Sequence, residues 1–396
     1  MSIEAVDFFY LSMPRVEDIG DGSQDALVVR VTADGVEGWG ECEASPLVSI
    51  AAFVTPMSHG ACKPVRDVVL GKPIESAAGI AAIPAAVEME CMDLLQAAHT
   101  FSGIEMALWD VLGKKRNAPV YELLGYRKAY PKLPYASQLF GDTPEETLAG
   151  CRKARESGYR AVKCGWGPFG RGTLEQDRDH LHAAREGIGS EGTLLIDAGQ
   201  IFREDVHAAA KRIAHLEEVN TVWFEEPFLG GAYGAYAALA AKSGRSRPSA
   251  PASAAVELGK GNVNAVQLID YGGVGFIQID CGRIGGIGPA KRAADYAAGR
   301  GVTYVNHTFT SHLALCASLQ PYAGLEAHRI CEYPFAPKSV AWDMSETHLV
   351  PDANGEVNVP GAPGLGITMS AAGMKKYLVD VEISAHGRSL YRSPKL

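Results

Sequence analysis

Seven short apolar runs in this sequence end in an ionisable side chain. Lys163 closes YRAVK, Asp197 closes TLLID, Glu225 and Glu226 close TVWFEE, Glu257 closes SAAVE, Asp280 closes FIQID, His307 closes TYVNH and Glu332 closes RICE. One such residue alone is usually a cap or a solvated charge. Where parallel strands close into a barrel, however, their carboxyl ends form the mouth at which chemistry collects. Three successive runs then bring Asp197, one of Glu225 and Glu226, and Glu257 together. Carboxylates that close raise one another's pKa unless a hard cation lies between them. An all-oxygen set with no cysteine beside it suits Mg2+ better than zinc and leaves positions for substrate oxygens. Mg2+ is therefore the expected cofactor.

The elements that must position these groups follow from pattern. After Tyr130-Pro131, short apolar runs alternate with amphipathic helical stretches at roughly the 25 to 35 residue interval of parallel βα units. Strands are expected at LPYAS, YRAVKC, TLLIDA, TVWFEE, SAAVEL, GFIQID, VTYVNH and RICEYP, and eight of them suggest a closed barrel. A Ser/Ala/Pro-rich stretch at 243 to 255 interrupts the pattern just before the fifth. Upstream, ALVVRVTADGVEGWGE alternates around an Asp-Gly step, a hairpin signal. Residues 76 to 125 then turn helical, with Ile104, Ala107, Leu108, Val111 and Leu112 at three- and four-residue spacing. An α+β unit thus precedes the barrel.

These segments resemble the enolase superfamily, and within it the mandelate racemase subgroup, over nearly the whole chain. ALWDVLGKKRNAPVYELLG is similar to the family's end-of-cap signature, GYRAVK to its second strand and PGAPGLGI (360 to 367) to its C-terminal signature. The resemblance implies an α/β fold, a modified TIM barrel (β/α)7β at 128 to 370, under an N-terminal α+β capping domain at 1 to 127 that residues 371 to 396 join. It implies Asp197, Glu225 and Glu257 as metal ligands, leaving Glu226 structural. Asp280 and His307, 27 residues apart, correspond to the subgroup's dyad, in which the carboxylate orients an imidazole acting as acid or base. His312 is the rival in the same segment. Lys163 would add positive charge at the developing enediolate, while Glu332 and Asn306 would contact substrate. The cap loops that select the substrate's far end are sought at Arg15 to Gln24 and Pro46 to Gly60.

The sequence also departs from that pattern. Many relatives carry K-x-K at the second strand, the second lysine being a base opposite the histidine; here Gly165 stands in its place. Gly199 stands where relatives often have Asn. A one-base site favours dehydration of an aldonate or aldarate to a 2-keto-3-deoxy acid over the alternative, racemisation or epimerisation with Lys163 as the opposite base. A barrel retained only for binding is a third reading. Asp280, rather than Lys, at the sixth strand argues against a muconate-type cycloisomerase.

Composition narrows the partners. The 396 residues carry a formal charge of −9, with 47% hydrophobic and 21% charged residues. No basic face for nucleic acid and no long uninterrupted apolar run for a membrane are evident. The absence of a leader pattern leads to the expectation of a cytoplasmic enzyme acting on a small carboxylate. Eight single cysteines without a CxxC pair are expected to be free thiols. Assembly into dimers to octamers is implied by the resemblance alone.

Overall fold

The computed structural model describes residues 1–43, 45–243, 252–255 and 262–396, so Glu257 lies outside the described residues. The chain opens with an antiparallel meander, β1 (Ile3–Ser12), β2 (Asp25–Ala33) and β3 (Val36–Cys42). The Asp-Gly step turns it as expected, with Asp34 and Gly35 at φ 53° and 70°. The helix Ala97–Arg116 packs on β3 so closely that a Cβ at Gly38 or Gly40 would fall 2.2 or 2.1 Å from a helix carbonyl. The glycines of EGWGE are therefore a packing requirement.

Eight parallel strands follow: β4 (Leu133–Leu139), β5 (Ala161–Gly165), β6 (Thr193–Asp197), β7 (Thr221–Glu225), β8 (Ala252–Ala255), β9 (Phe276–Ile279), β10 (Thr303–Asn306) and β11 (Ile330–Pro334). The order β10-β9-β8-β7-β6-β5-β4-β11, with helical segments in each of the seven intervals, is the expected (β/α)7β barrel. Register sets Gly165, Asp197, Glu225 and Ala254 side by side at the mouth. Deeper inside, Tyr135, Leu195, Trp223 and Val305 fill the barrel.

The seam between β10 and β11 corrects one expectation. Among the described residues no ladder joins these strands; instead the Asn306 amide accepts from the Glu332 N–H at 3.0 Å and donates to the Glu332 carbonyl at 3.1 Å. Its oxygen also takes the Tyr322 hydroxyl at 2.8 Å. Asn306 is fully buried and closes the barrel wall rather than contacting substrate.

The two signature segments meet at Asp110, whose carboxylate accepts from the Trp39 and Leu365 N–H groups at 2.9 and 2.8 Å. The cap helix also reaches the barrel through Glu105, which accepts from the Ile287 and Gly288 N–H groups at the start of the helix Ile287–Gly299. The last residues, with the hairpin β12 (Glu382–Ala385) and β13 (Arg388–Arg392), return to β1 through backbone bonds at Ser12 and Tyr10. All eight cysteines are free, and seven are buried. No described helix is long and apolar enough to cross a membrane.

Candidate active site

Lys163, the middle residue of β5, gathers the charged residues of the mouth. Its Nζ lies 2.8 Å from Glu225 Oε1, 2.9 Å from Glu332 Oε1 and 3.7 Å from Asp197 Oδ2. Each carboxylate is also held by a donor from its other oxygen: the Trp223 indole on Glu225 at 3.0 Å, the Gly199 N–H on Asp197 at 2.8 Å and the Thr308 N–H on Glu332 at 2.7 Å. All four groups are buried.

Burial alone would neutralise them, and the outcome depends on which partner charge wins. Burial pushes Glu225 up to about 8, with Lys163 only partly opposing it. Asp197 is raised for the same reason, against the same lysine. Burial also acts to raise Glu332, but the adjacent Lys163 and then His307 outweigh it and hold the carboxyl at about 2. Lys163 itself sits well above its ordinary value, because Glu225 and Glu332 overcome the burial that would lower it. Its contacts make it an ion-pair partner of both carboxylates.

On the opposite side of the mouth, His307 Nδ1 lies 2.8 Å from Asp280 Oδ2, while Asp280 Oδ1 accepts the Gly282 N–H at 2.6 Å. With Nδ1 committed to Asp280, Nε2 is the nitrogen through which the ring can take a proton. His307 lines the cavity; His312 does not, being fully buried with its Nδ1 accepting the Leu349 N–H.

Gly165 now has a physical reason. A Cβ there would fall 2.7 Å from Asp197 Cβ, so a lysine would displace that carboxylate. Gly199 is explained similarly, since its Cβ would press on the Trp166 ring at 3.1 Å. Glu226, at φ 26°, accepts from the Gln200 amide at 2.7 Å and borders the cavity.

The cavity encloses about 740 Å³, within the range of small-molecule sites. Lys163, Asp197, His307 and Glu332 line it, together with Ile19, Gly20 and Asp21 from the first expected cap loop. The second expected loop does not reach it: Pro46–Val54 is a helix begun by Pro46, an ordinary first-turn position for proline. Trp166, Arg283 and Phe309 also line the cavity and were not singled out by the sequence.

For a metal, the test is the donor set. Among the described residues no group of three or more His, Cys, Asp or Glu is arranged to hold an ion. Asp197 and Glu225 are nevertheless neighbours in register, buried and all-oxygen, and with Glu332 they share the single ammonium of Lys163, which fits a hard divalent cation. The third expected ligand, Glu257, lies outside the described residues.

Comparison with known proteins shows the family to which the chain belongs. Residues 18–125 match the mandelate racemase / muconate lactonizing enzyme N-terminal domain, and residues 146–373 match the enolase C-terminal domain-like family. The chain belongs to the mandelate racemase / muconate lactonizing enzyme family of the enolase superfamily. Members of this superfamily generally use Mg2+. A crystal structure titled a predicted mandelate racemase from Rhodobacter sphaeroides is 58% identical over the full length of both chains, with a TM-score of 0.95. The D-galactarolactone cycloisomerase of Agrobacterium fabrum is 27% identical over 90% of this chain and 92% of its own. The L-talarate/galactarate dehydratase of Salmonella typhimurium is 30% identical over 57% of this chain and 55% of its own.

Proposed function

We propose that this family member removes the α-proton of a carboxylate substrate and eliminates a β-hydroxyl, converting an acid sugar (an aldonate or aldarate) to a 2-keto-3-deoxy acid. The observation that carries this reading is the one-sided base: the His307 and Asp280 pair at 2.8 Å faces a lysine held as an ammonium by Glu225 and Glu332. His307 takes the α-proton through Nε2, and the electron pair of the broken C–H bond forms the enediolate. The same imidazolium then returns the proton to the β-oxygen as the C–O bond breaks, water leaves, and the enol becomes the keto acid. Lys163 supplies a fixed positive charge near the developing oxyanion.

Asp197, Glu225 and, from the sequence, Glu257 would hold Mg2+; the chemistry a bound ion supplies is charge neutralisation at the substrate carboxylate. The dehydratases among the relatives support the elimination. The full-length match to a cycloisomerase supports a second reading, in which the departing β-oxygen is part of a ring and the product is an isomer. Racemisation needs a base on each face, which Gly165 and the ammonium of Lys163 disfavour. Keeping the dyad and the carboxylates has no evident purpose in a barrel that only binds.

The test is a panel of mono- and diacid sugars with and without Mg2+, read for 2-keto acid with semicarbazide and for α-deuterium exchange by NMR. Mg2+-dependent keto acid is expected. Exchange without keto acid would move the assignment to racemase or epimerase, and neither signal on any acid would overturn the reading.

A further inference from the structure

The end of β3 and the residue after it bring the cap onto the turn that carries Asp280. The Glu43 N–H donates to the Gly282 carbonyl at 3.2 Å, and Gly282 holds Asp280 through its own N–H at 2.6 Å. The approach leaves no room for a side chain, since a Cβ on Gly282 would fall 2.7 Å from the Glu43 nitrogen. Arg283, the next residue, pairs with the Glu43 carboxylate. Two positions before Glu43, on the same face of the strand, Glu41 is 2% exposed and accepts from the hydroxyl of Ser311, in the loop that follows His307. Glu41 thus grips the loop after β10 while Glu43 grips the turn after β9. Between them lies a space of about 10 Å³, roughly the room one water molecule needs, lined by Glu41, Glu43, Asp280, Thr308, Thr310 and Ser318. The mechanism proposed above does not use Glu41, yet a carboxyl buried behind the dyad is costly for mere strand packing.

We infer that Glu41 of the cap is a positioning residue for the dyad: it ties the loop after His307 to the cap and reaches Asp280 through one water in the space they share. This rests on the α-proton chemistry proposed above, which gives Asp280 and His307 their task. Two carboxyls facing one small cavity ionise together only at a cost, and their surroundings do not remove it. Glu43 adds an anion already paired with Arg283, Asp25 on β2 senses Glu43, and the helix His312–Leu319 contributes Ala314 and Ser318, which carry no charge. Burial keeps Cys42 and Cys281 as thiols. Burial also pushes Glu41 up to about 7; the Ser311 and Thr310 hydroxyls oppose it, and Asp280 and Glu43 add to it. Below that value Glu41 has a proton to give to the water on Asp280. Above it, a second negative charge faces the dyad and strengthens the hold of His307 on its proton.

The experiment uses the full-length protein with Mg2+ and the acid sugar it turns over fastest, in wild type, Glu41→Gln, Glu41→Ala and Glu105→Gln. Glu105 is the control, a cap carboxyl just as buried that docks on the barrel at Ile287 and Gly288 and does not line this space. Glu41→Ala should lower kcat by about tenfold with KM held within about twofold. Glu41→Gln, which keeps a donor and an acceptor of the same size, should restore most of that loss. In Glu41→Gln the acid limb of the kcat/KM profile should move down by about half a pH unit or more, because no second anion forms behind Asp280. Glu105→Gln should lower the melting temperature and leave the limb in place. The His307 imidazole should titrate with the same shift, followed by NMR on 15N-histidine protein and assigned by its loss in His307→Asn. That titration needs no turnover and decides the matter if Glu41→Ala does not fold. A His307 titration that stays in place or rises in Glu41→Gln, an equal shift in Glu105→Gln, or an unchanged kcat in folded Glu41→Ala would overturn the positioning role and leave the elimination chemistry intact. A wild type without keto acid or exchange on any acid would overturn the proposed function, and the His307 titration would still decide this inference.

Discussion

Two lysines are buried in the same barrel, one at each end, and their partners differ in kind. Lys132, immediately before β4 at the amino end, donates to the carbonyls of Tyr322, Leu325 and His328 at 3.0, 3.0 and 2.9 Å. Lys163, at the carboxyl end, is surrounded by the carboxylates of Glu225, Glu332 and Asp197. Carbonyls bring dipoles but no charge, so burial holds Lys132 down to about 7. Carboxylates bring charge, and Lys163 is raised well above its ordinary value although it too is buried. The same side chain serves as a clip that ties the start of β4 to the 322–328 segment at one end and, in the proposed mechanism, as a positive charge at the other, in keeping with the division of labour between the two faces of such barrels.

The largest effect expected at the mouth is on rate alone. His307→Asn should lower turnover by about 10³-fold or more while leaving the melting temperature nearly unchanged, as steady-state kinetics and thermal melts on the same preparation would read. Lys163→Met should lower kcat/KM by about 10²-fold or more; a loss explained entirely by a smaller folded fraction would break the contrast with Lys132. At the other end, Lys132→Met leaves three buried carbonyls without their donor and should cost about 3 kcal/mol in urea unfolding, with kcat per folded molecule preserved.

Metal should sharpen the comparison further. Saturating Mg2+, at about a hundred times its Kd, should stabilise the protein by about 2.7 kcal/mol. Asp197→Asn should remove most of that gain, whereas Lys132→Met should retain it; a gain equal in all three proteins would exclude the mouth as the binding site.

The smallest effect is one of pH. Lys132 titrates at about 7 when folded against an ordinary 10.5, so between these values the native protein binds fewer protons than the unfolded chain. Its contribution to stability is then fully present above 10.5 and is lost as the pH falls through 7. The stability of wild type relative to Lys132→Met should therefore grow by about 2 kcal/mol between pH 7 and 9, and a gap that shrank over that range would refute the assignment.

Much of this architecture was legible in the sequence because short apolar runs ending in charges are local signals. Asp197 and Glu225 end their strands and Asp280 and His307 directly follow theirs, whereas Lys163 and Glu332 fall at the middle of β5 and β11; the Asp-Gly turn forms as its residues require. Asn306 was misread for a reason strand geometry explains: neighbours along a strand point to opposite faces, so a residue preceding the cavity-lining His307 points away from it. Trp166 was beyond sequence reading, since its left-handed backbone and its contacts with Gly199 and Gly20 join loops distant in the chain. A cap loop was sought from Pro46 to Gly60, where Pro46–Val54 is instead a helix that packs Ile50 and Phe53 into the cap core.

The seam at Asn306 has a consequence of its own. One planar amide presents a donor and an acceptor at the spacing of a backbone pair, and so completes the wall where the strands do not. Aspartate would offer acceptors to a carbonyl, leucine nothing, and glutamine the right groups one methylene too far. Among the twenty side chains the alphabet at position 306 shrinks to one letter, a stringency set by the need to finish a circle rather than by any molecule the protein binds.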